Sequence, residues 1–293
     1  MPVHIDITET PSKPAETYRR TTWRAMIQPP GDGGLNMAVD EAILEAVATG
    51  ASPPTLRFYG WQPPCLSLGR AQRARDVDLA RLTERGWQLV RRITGGRAIL
   101  HTDELTYSVV VPESDPRVAG GIVESYRRLS GGLLAGLHRL GASAARAAGP
   151  VGDEGNARRP KGPVCFEAPS DYEVTALGKK LLGSAQTRRK GIVLQHGTLP
   201  LMGDLTRICD ALVYESEAAR DEAKRNVLAR ATTLQDVTGK TVAFAEAAQA
   251  MKVGLAEALN LELVKGELSK VEKARAEHLR AEKYASDAWT LRR

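Results

Sequence analysis

The chain has 293 residues, 42% hydrophobic and 26% charged, which supplies enough apolar surface for a packed core. No run approaches the eighteen or so apolar residues of a membrane span, and residues 1–27 carry no apolar signal block, so the sequence predicts a cytoplasmic protein outside the membrane. A formal charge of +6 favours an acidic partner, 5% aromatic content without basic-aromatic interleaving excludes a base-stacking platform, and three scattered cysteines form neither a disulfide framework nor a zinc spacing.

In chain order, residues 1–20 hold three prolines and no periodicity and read as a mobile arm, with residues 21–293 as a single domain. Apolar residues at helical spacing predict a buried helix over 35–47, with Asn36 as its N-cap. Residues 55–61 and 64–68 read as two short strands paired with each other, 76–86 as a short helix, and 87–93 as a strand entering the Gly95-Gly96 turn. Strands over 98–100 and 105–111 follow, then a helix marked by Ile122, Tyr126, Leu129, Leu133, Leu137 and Leu140 and closed by Gly141. Residues 142–164, rich in Ala, Gly, Pro and Arg, read as a lid loop. Three strands are expected over 172–176, 181–186 and 192–201, then helical stretches over 205–213 and 242–259, a strand over 261–264, and a charged helix over 268–284 whose 270–283 face reads as solvated. Strands early and helices late give an α+β fold.

Cys165 follows a Gly-Pro loop and precedes polar residues, which predicts an accessible thiol, whereas Cys65 and Cys209 sit in apolar runs and read as small buried hydrophobes. A free thiol is only about 3% ionised at neutral pH, so a catalytic cysteine needs a neighbouring cation or base. Lys179 and Lys180 enter a strand in which side chains alternate, so one of the two reaches the interior. A partly desolvated lysine gives up its proton near neutral pH and can serve a thiol or an attacking amine as base, and Lys180 is the candidate. His196 is the rival base, because cysteine and histidine form the commoner pair, although a histidine before a glycine on a strand also reads as a hydrogen-bonded structural residue. Residues 91–97 (RRITGGR) run from a strand into a glycine turn whose N–H groups could face a carbonyl or phosphate, yet they match neither a P-loop nor a dinucleotide fingerprint. His101, Asp103 and Glu104 follow that turn at positions that would order it, and no spacing predicts a metal.

Residues 91–101 (RRITGGRAILH), 104–109 (ELTYSV), 165–173 (CFEAPSDYE), 178–186 (GKKLLGSAQ) and 194–199 (LQHGTL), in that order, resemble the lipoate-protein ligase/octanoyltransferase superfamily, and within it the cysteine-bearing octanoyltransferases. Weaker similarity at 36–44, 64–69 and 283–289 extends the resemblance over nearly the whole chain. It implies an α+β fold shared with the catalytic domain of biotin ligases, a central mostly antiparallel sheet flanked by helices. It also implies octanoyl transfer from octanoyl-acyl carrier protein to a lysine of a lipoyl-accepting domain such as glycine-cleavage H protein, with no cofactor, no metal and no nucleic acid. Cys165 matches the acyl-accepting cysteine, and Lys180 the lysine ahead of the hydrophobic-x-Gly-Ser-Ala segment. The shared motifs imply substrate-binding roles for Arg92, Thr94, Gly95, Gly96, His101, Gly183, Ser184, Ala185, His196 and Gly197.

The implied chemistry is thioester exchange onto Cys165 followed by amine attack with help from Lys180, main-chain donors near Gly95-Gly96 or Gly183 holding the oxyanion. The acyl tail would need a tunnel, expected along the strand after Trp87 and around Leu181-Leu182. An amidotransferase moving octanoyl between lipoyl domains would use the same pair. An ATP-dependent lipoate ligase is a second rival, against which Arg97 departs from the three-glycine turn common among ligases. A non-catalytic module binding acidic partners is a third.

Overall fold

The computed structural model describes residues 18–147 and 173–292. Its strands are β1 (Thr21–Ile27), β2 (Thr55–Tyr59), β3 (Cys65–Leu68), β4 (Gln88–Arg91), β5 (Ile99–His101), β6 (Glu104–Pro112), β7 (Ala145–Ala147), β8 (Val174–Ala176), β9 (Lys179–Arg189), β10 (Ile192–Pro200) and β11 (Leu261–Lys265). The main sheet has the order β11-β1-β2-β6-β10-β9-β8-β7, parallel at β11-β1 and β1-β2 and antiparallel elsewhere. A small sheet, β4-β3-β5, stands beside it. The helices are α1 (Gly33–Ala48), α2 (Leu79–Glu84), α3 (Ile122–Arg139), α4 (Glu217–Arg230), α5 (Leu234–Thr238), α6 (Phe244–Ala258), α7 (Lys270–Leu279) and α8 (Asp287–Thr290). The architecture is α+β, as expected.

Strand alternation distributes the core. On β2, β6 and β10 one set of side chains, including Phe58, Tyr107 and Val193, meets Leu133 of α3 and Leu255 of α6. The opposite set, including Tyr59, Val110 and Leu194, meets Ile43 of α1 and Leu279 of α7. The small sheet closes a third core with Cys209 and Val227, and burial pushes the Cys65 thiol far above its ordinary value, so both described cysteines are buried hydrophobes.

Several expectations change. The segments 55–61 and 64–68 do not pair, because both edges of β2 are taken by β1 and β6, and Pro63-Pro64 lead the chain into the small sheet. The N-cap of α1 is Asp32, whose carboxylate accepts from the Leu35 amide at 2.9 Å, while Asn36 lies on the buried helix face and donates to the Gly60 carbonyl at 2.9 Å. Strand β1 and helix α4 were not anticipated, the first because its burial is continuous rather than alternating, the second because only Arg220, Ala223 and Val227 are buried along it. Residues 205–211 form a 3-10 turn rather than an α-helix. Of the expected lid, residues 142–144 form a turn and Ala145–Ala147 a strand paired with β8, and residues 148–164 lie outside the described residues, as do most of the N-terminal arm and Cys165. Among the described residues no helix is long and apolar enough to cross a membrane.

The C-terminal helix is not simply solvated. Glu272 is fully buried and accepts both arms of Arg24 at 2.7 and 2.5 Å and the Ser52 hydroxyl at 2.9 Å, tying α7 to β1 and to the end of α1. Burial pushes this carboxyl up, but the bonds from Arg24, the Ser269 amide and Ser52 outweigh it and hold it below its ordinary value of 4.5. Its stabilising contribution is therefore complete above that ordinary value and is lost as pH falls through the lower folded value. Glu272→Ala leaves Arg24 buried without its carboxylate, and urea unfolding should register a loss of about 3–5 kcal/mol; a variant as stable as the parent would show the pair to be dispensable.

Candidate active site

At the seam between the main sheet and the small sheet lies a narrow, mostly apolar cavity of about 30 Å³. Met37 of α1, Tyr59 and Trp61 from the end of β2, Ile99 and His101 of β5, and Thr106, Thr198 and Ala185 from the central strands line it. The sequence places polar residues at every second position of otherwise apolar strands here. On β6 Thr106 and Ser108 alternate with Leu105, Tyr107 and Val109, and on β10 His196 and Thr198 flank Gly197. In a sheet covered on both faces, such alternation marks the face where a site rather than a core is built.

Two buried hydrogen-bond networks frame the cavity. In the first, Arg92 Nη1 donates to Ser67 Oγ at 2.9 Å, Ser67 Oγ meets His101 Nε2 at 2.7 Å, and His101 Nδ1 meets Glu104 Oε1 at 2.7 Å. That carboxylate oxygen also accepts from the Thr106 hydroxyl at 2.5 Å, and Trp61 Nε1 donates to Thr106 Oγ1 at 2.8 Å. The Trp61 and His101 rings stack 3.9 Å apart at 12°. In the second, Asp40 of α1 accepts from Arg57 Nη1 at 2.7 Å, Tyr59 Oη at 2.9 Å and Ser108 Oγ at 2.9 Å, and faces His196 Nδ1 at 3.3 Å. The opposite nitrogen, His196 Nε2, meets Thr94 Oγ1 at 2.7 Å.

These surroundings settle charge states. Burial pushes the Asp40 carboxyl up, yet Arg57 and His196 outweigh it and hold it below the ordinary range, so it is a carboxylate. Burial lowers the His196 imidazole more than Asp40 raises it, so the ring is neutral, with Nδ1–H directed at Asp40 and Nε2 accepting from Thr94. With both nitrogens engaged, His196 anchors the glycine turn through Thr94. Burial likewise pushes the Tyr107 phenol up to about 12; its hydroxyl accepts from Gln195 at 2.8 Å and bonds Ser184 at 2.7 Å.

The glycine turn is held by Arg92, whose guanidinium donates to the carbonyls of Ser67 at 2.9 Å, Gly95 at 3.0 Å and Arg97 at 2.7 Å. Gly96, at φ +89°, adopts a conformation that side chains disfavour, and a Cβ there would stand 2.8 Å from Arg92 Nη2. Gly197 is required for a different reason, since a Cβ there would fall 2.6 Å from the Tyr107 ring, the Gly183 carbonyl and Ser184 Oγ. Gly197→Ala should displace that ring and cost about 1–3 kcal/mol of stability; thermal unfolding would register the loss, and an unchanged Tm would remove the packing argument.

On β9 the register shifts by one residue, Val174 pairing Leu182 but Thr175 pairing Lys180, so Leu181 is the extra residue of a bulge. Both Leu181 and Leu182 therefore enter the core beneath α3 and α6, and the slipped alternation gives Lys180 the face of Gly183 and Ala185. Lys180 is 6% exposed and forms a buried ion pair with Glu173, whereas Lys179 donates outward to the Leu228 carbonyl at 2.7 Å. Lys180 stands about 10 Å along the strand from Gly183, beyond the cavity's end.

Of the residues singled out from sequence, Arg92, Gly96, His101, Gly183, Ser184, Ala185, His196 and Gly197 line one cavity, with Thr94 and Gly95 directly behind. Arg92 and His101 also bond protein groups there. The strand after Trp87 and Leu181-Leu182 are core and do not line the cavity; Met37, Tyr59, Trp61 and Ile99 do. Asp40, Ser67, Thr106 and Thr198 were missed. Their only signal was polarity within buried apolar patterns, most visibly the carboxylate of Asp40 on the core stripe of α1.

Residues 32–256 match the lipoyl protein ligase A/B catalytic domain. The chain is 46% identical over 275 residues to a protein of Kyrpidia tusciae named Octanoyltransferase LipM, covering 93% of this chain and 99% of that one. It is 39% identical over 274 residues to the protein of the same name from Staphylococcus aureus, covering 93% and 99%. Among solved structures, the bi-partite lipoate protein ligase of Thermoplasma acidophilum superposes with a TM-score of 0.77 at 26% identity, covering 93% of this chain and 98% of that one. A lipoate-protein ligase A bound with ATP superposes with a TM-score of 0.75 at 27% identity, covering 92% and 99%. The shared fold, the near full-length identity and the family match lead to one conclusion: the chain belongs to the lipoyl protein ligase A/B catalytic domain family and is an acyltransferase.

Proposed function

We propose that this enzyme transfers octanoyl from octanoyl-acyl carrier protein to a lysine of a lipoyl-accepting domain, the glycine-cleavage H protein being the expected acceptor, in the cytoplasm. The observation that carries the reading is the likeness, over 93% of the chain, to proteins named octanoyltransferase. In the first half-reaction the Cys165 thiolate adds to the donor thioester carbonyl. The tetrahedral oxyanion collapses, the carrier thiolate leaves and takes up a proton, and an octanoyl-Cys165 thioester remains. No ATP is needed, because one thioester replaces another. In the second, the acceptor's amine attacks that thioester, Lys180 takes the proton the nitrogen sheds, and the Cys165 thiolate is released as the amide forms.

The site supports these steps in three ways. The cavity wall is mostly apolar, as an eight-carbon tail requires, and the space, about 30 Å³ as it stands, opens to admit one by movement of Met37, the most adaptable side chain in its wall. Lys180 is buried beyond the Gly183 end of the cavity in an ion pair with Glu173, a carboxylate placed to accept the lysine's proton and so free its amine to act as base. Gly96 and Gly183 bring main chain to the cavity wall, where a developing oxyanion would find N–H donors.

The test is intact mass after incubation with octanoyl-acyl carrier protein without ATP, followed by peptide mapping and addition of an unmodified lipoyl-accepting domain. An octanoyl adduct on Cys165 that passes to the acceptor is expected. Acceptor modification only with free acid and ATP would instead mean a ligase, and an adduct formed only from an octanoylated lipoyl domain would mean an amidotransferase.

A further inference from the structure

The cavity wall contains one polar group that the fold leaves unused. Thr198, on β10, is 1% exposed and lines the cavity, yet its hydroxyl has no hydrogen-bond partner among the described residues. The other polar side chains of the wall are satisfied within the protein. Tyr59 and His196 bond Asp40, Arg92 bonds Ser67, His101 and Thr106 bond Glu104, and Ser184 bonds Tyr107. A buried hydroxyl normally finds a partner, so an orphan on the wall of this cavity marks where a ligand's polar atom belongs.

Its place along the strand says which atom. Thr198 pairs with Gly183, and His196 with Ala185, so Thr198 stands at the end of the cavity nearer Lys180. An acyl chain lying in the cavity with its reacting end toward Lys180 sets its carbonyl carbon at the Thr198 end and its methyl end toward His196 and Met37. We propose that the Thr198 hydroxyl donates a hydrogen bond to the carbonyl oxygen of the bound acyl group, making Thr198 a substrate-binding residue that fixes the depth of the chain. The inference rests on the acyl-transfer reading above for the direction of the chain. A saturated tail offers no other acceptor, so the bond discriminates between chains whose carbonyl reaches Thr198 and chains held too deep or too shallow.

The experiment compares the full-length parent, Thr198→Val and Thr198→Ser by thermal unfolding, by calorimetric titration with octanoate, and by transfer from octanoyl-acyl carrier protein. Valine keeps the shape and removes the hydroxyl, so the fold should lose nothing and Tm should hold or rise. Octanoate affinity and the acylation rate should each fall about tenfold in the valine variant, the usual worth of one buried hydrogen bond, with serine restoring most of both. Parent-like affinity and rate in Thr198→Val would overturn the proposal, as would a lower Tm with unchanged octanoate affinity, which would give the hydroxyl a structural partner. A parent that binds no octanoate would also overturn it. If the parent binds octanoate through Thr198 but transfers nothing from the carrier protein, the Thr198 assignment stands and the proposed donor fails.

Discussion

Cys165→Ala should form no octanoyl-enzyme and should lose turnover by at least about ten-thousand-fold, because the second half-reaction has nothing to attack without the thioester. The physical case begins with the thiol. Of three cysteines, the two described are fully buried, one with burial driving its thiol far from ionisation, so neither offers a thiolate to a bulky carrier-bound thioester. Cys165 is the remaining one. Intact mass spectrometry after mixing with octanoyl-acyl carrier protein decides the matter within one experiment. A stable adduct on the variant, or transfer at the parent's rate, would assign the acyl group to another residue or to direct attack by the acceptor amine.

Lys180→Ala should slow transfer by about a hundred- to ten-thousand-fold, the range for loss of a positioned general base, while Lys179→Ala stays within about threefold of the parent. The structure gives the reason for the difference: Lys180 is interior and paired with Glu173, and Lys179 reaches a carbonyl at the surface. Alanine at 180 also removes the buried ion pair with Glu173, which costs stability and confounds a simple activity loss. Lys180→Arg separates the two effects. Arginine keeps the ion pair and the fold but does not release a proton at any working pH, so a well-folded, acylated, transfer-dead Lys180→Arg is the expected signature. Equal losses for Lys179→Ala and Lys180→Ala, or an active arginine variant, would remove Lys180 from proton transfer.

The bulge on β9 shows why alternation by itself did not choose between Lys179 and Lys180, a choice the sequence made through the family motif. Strict alternation says that one of two consecutive lysines faces inward, but not which, since that depends on the phase of the strand. The extra residue at Leu181 resets the phase, placing both leucines in the core and turning Lys180 to the cavity side. A bulge leaves no trace in composition, and Leu-Leu reads equally well as alternation interrupted or as a strand buried on both faces. The same ambiguity hid β1, whose four central residues are all buried. The missed α4 fails for the opposite reason: a helix that rests on little more than Ala223 and Val227 carries too few apolar positions to announce its face.

The chain's local chemistry determined the α+β class, the position of the glycine turn and the amphipathic α3 and α6, because periodicity and turn chemistry are short-range properties, while the set of residues that converge on the cavity came from the shared family motifs. Only the tertiary structure decided how those residues act. Arg92 and His101, expected to bind substrate, line the cavity with hydrogen-bonding groups that meet Ser67, Glu104 and main-chain carbonyls. Thr198 looked unremarkable and holds the orphan hydroxyl. Whether a buried polar group is satisfied depends on partners far apart in the chain, 156 positions for Asp40 and His196 and 248 for Arg24 and Glu272, and no local pattern encodes that distance.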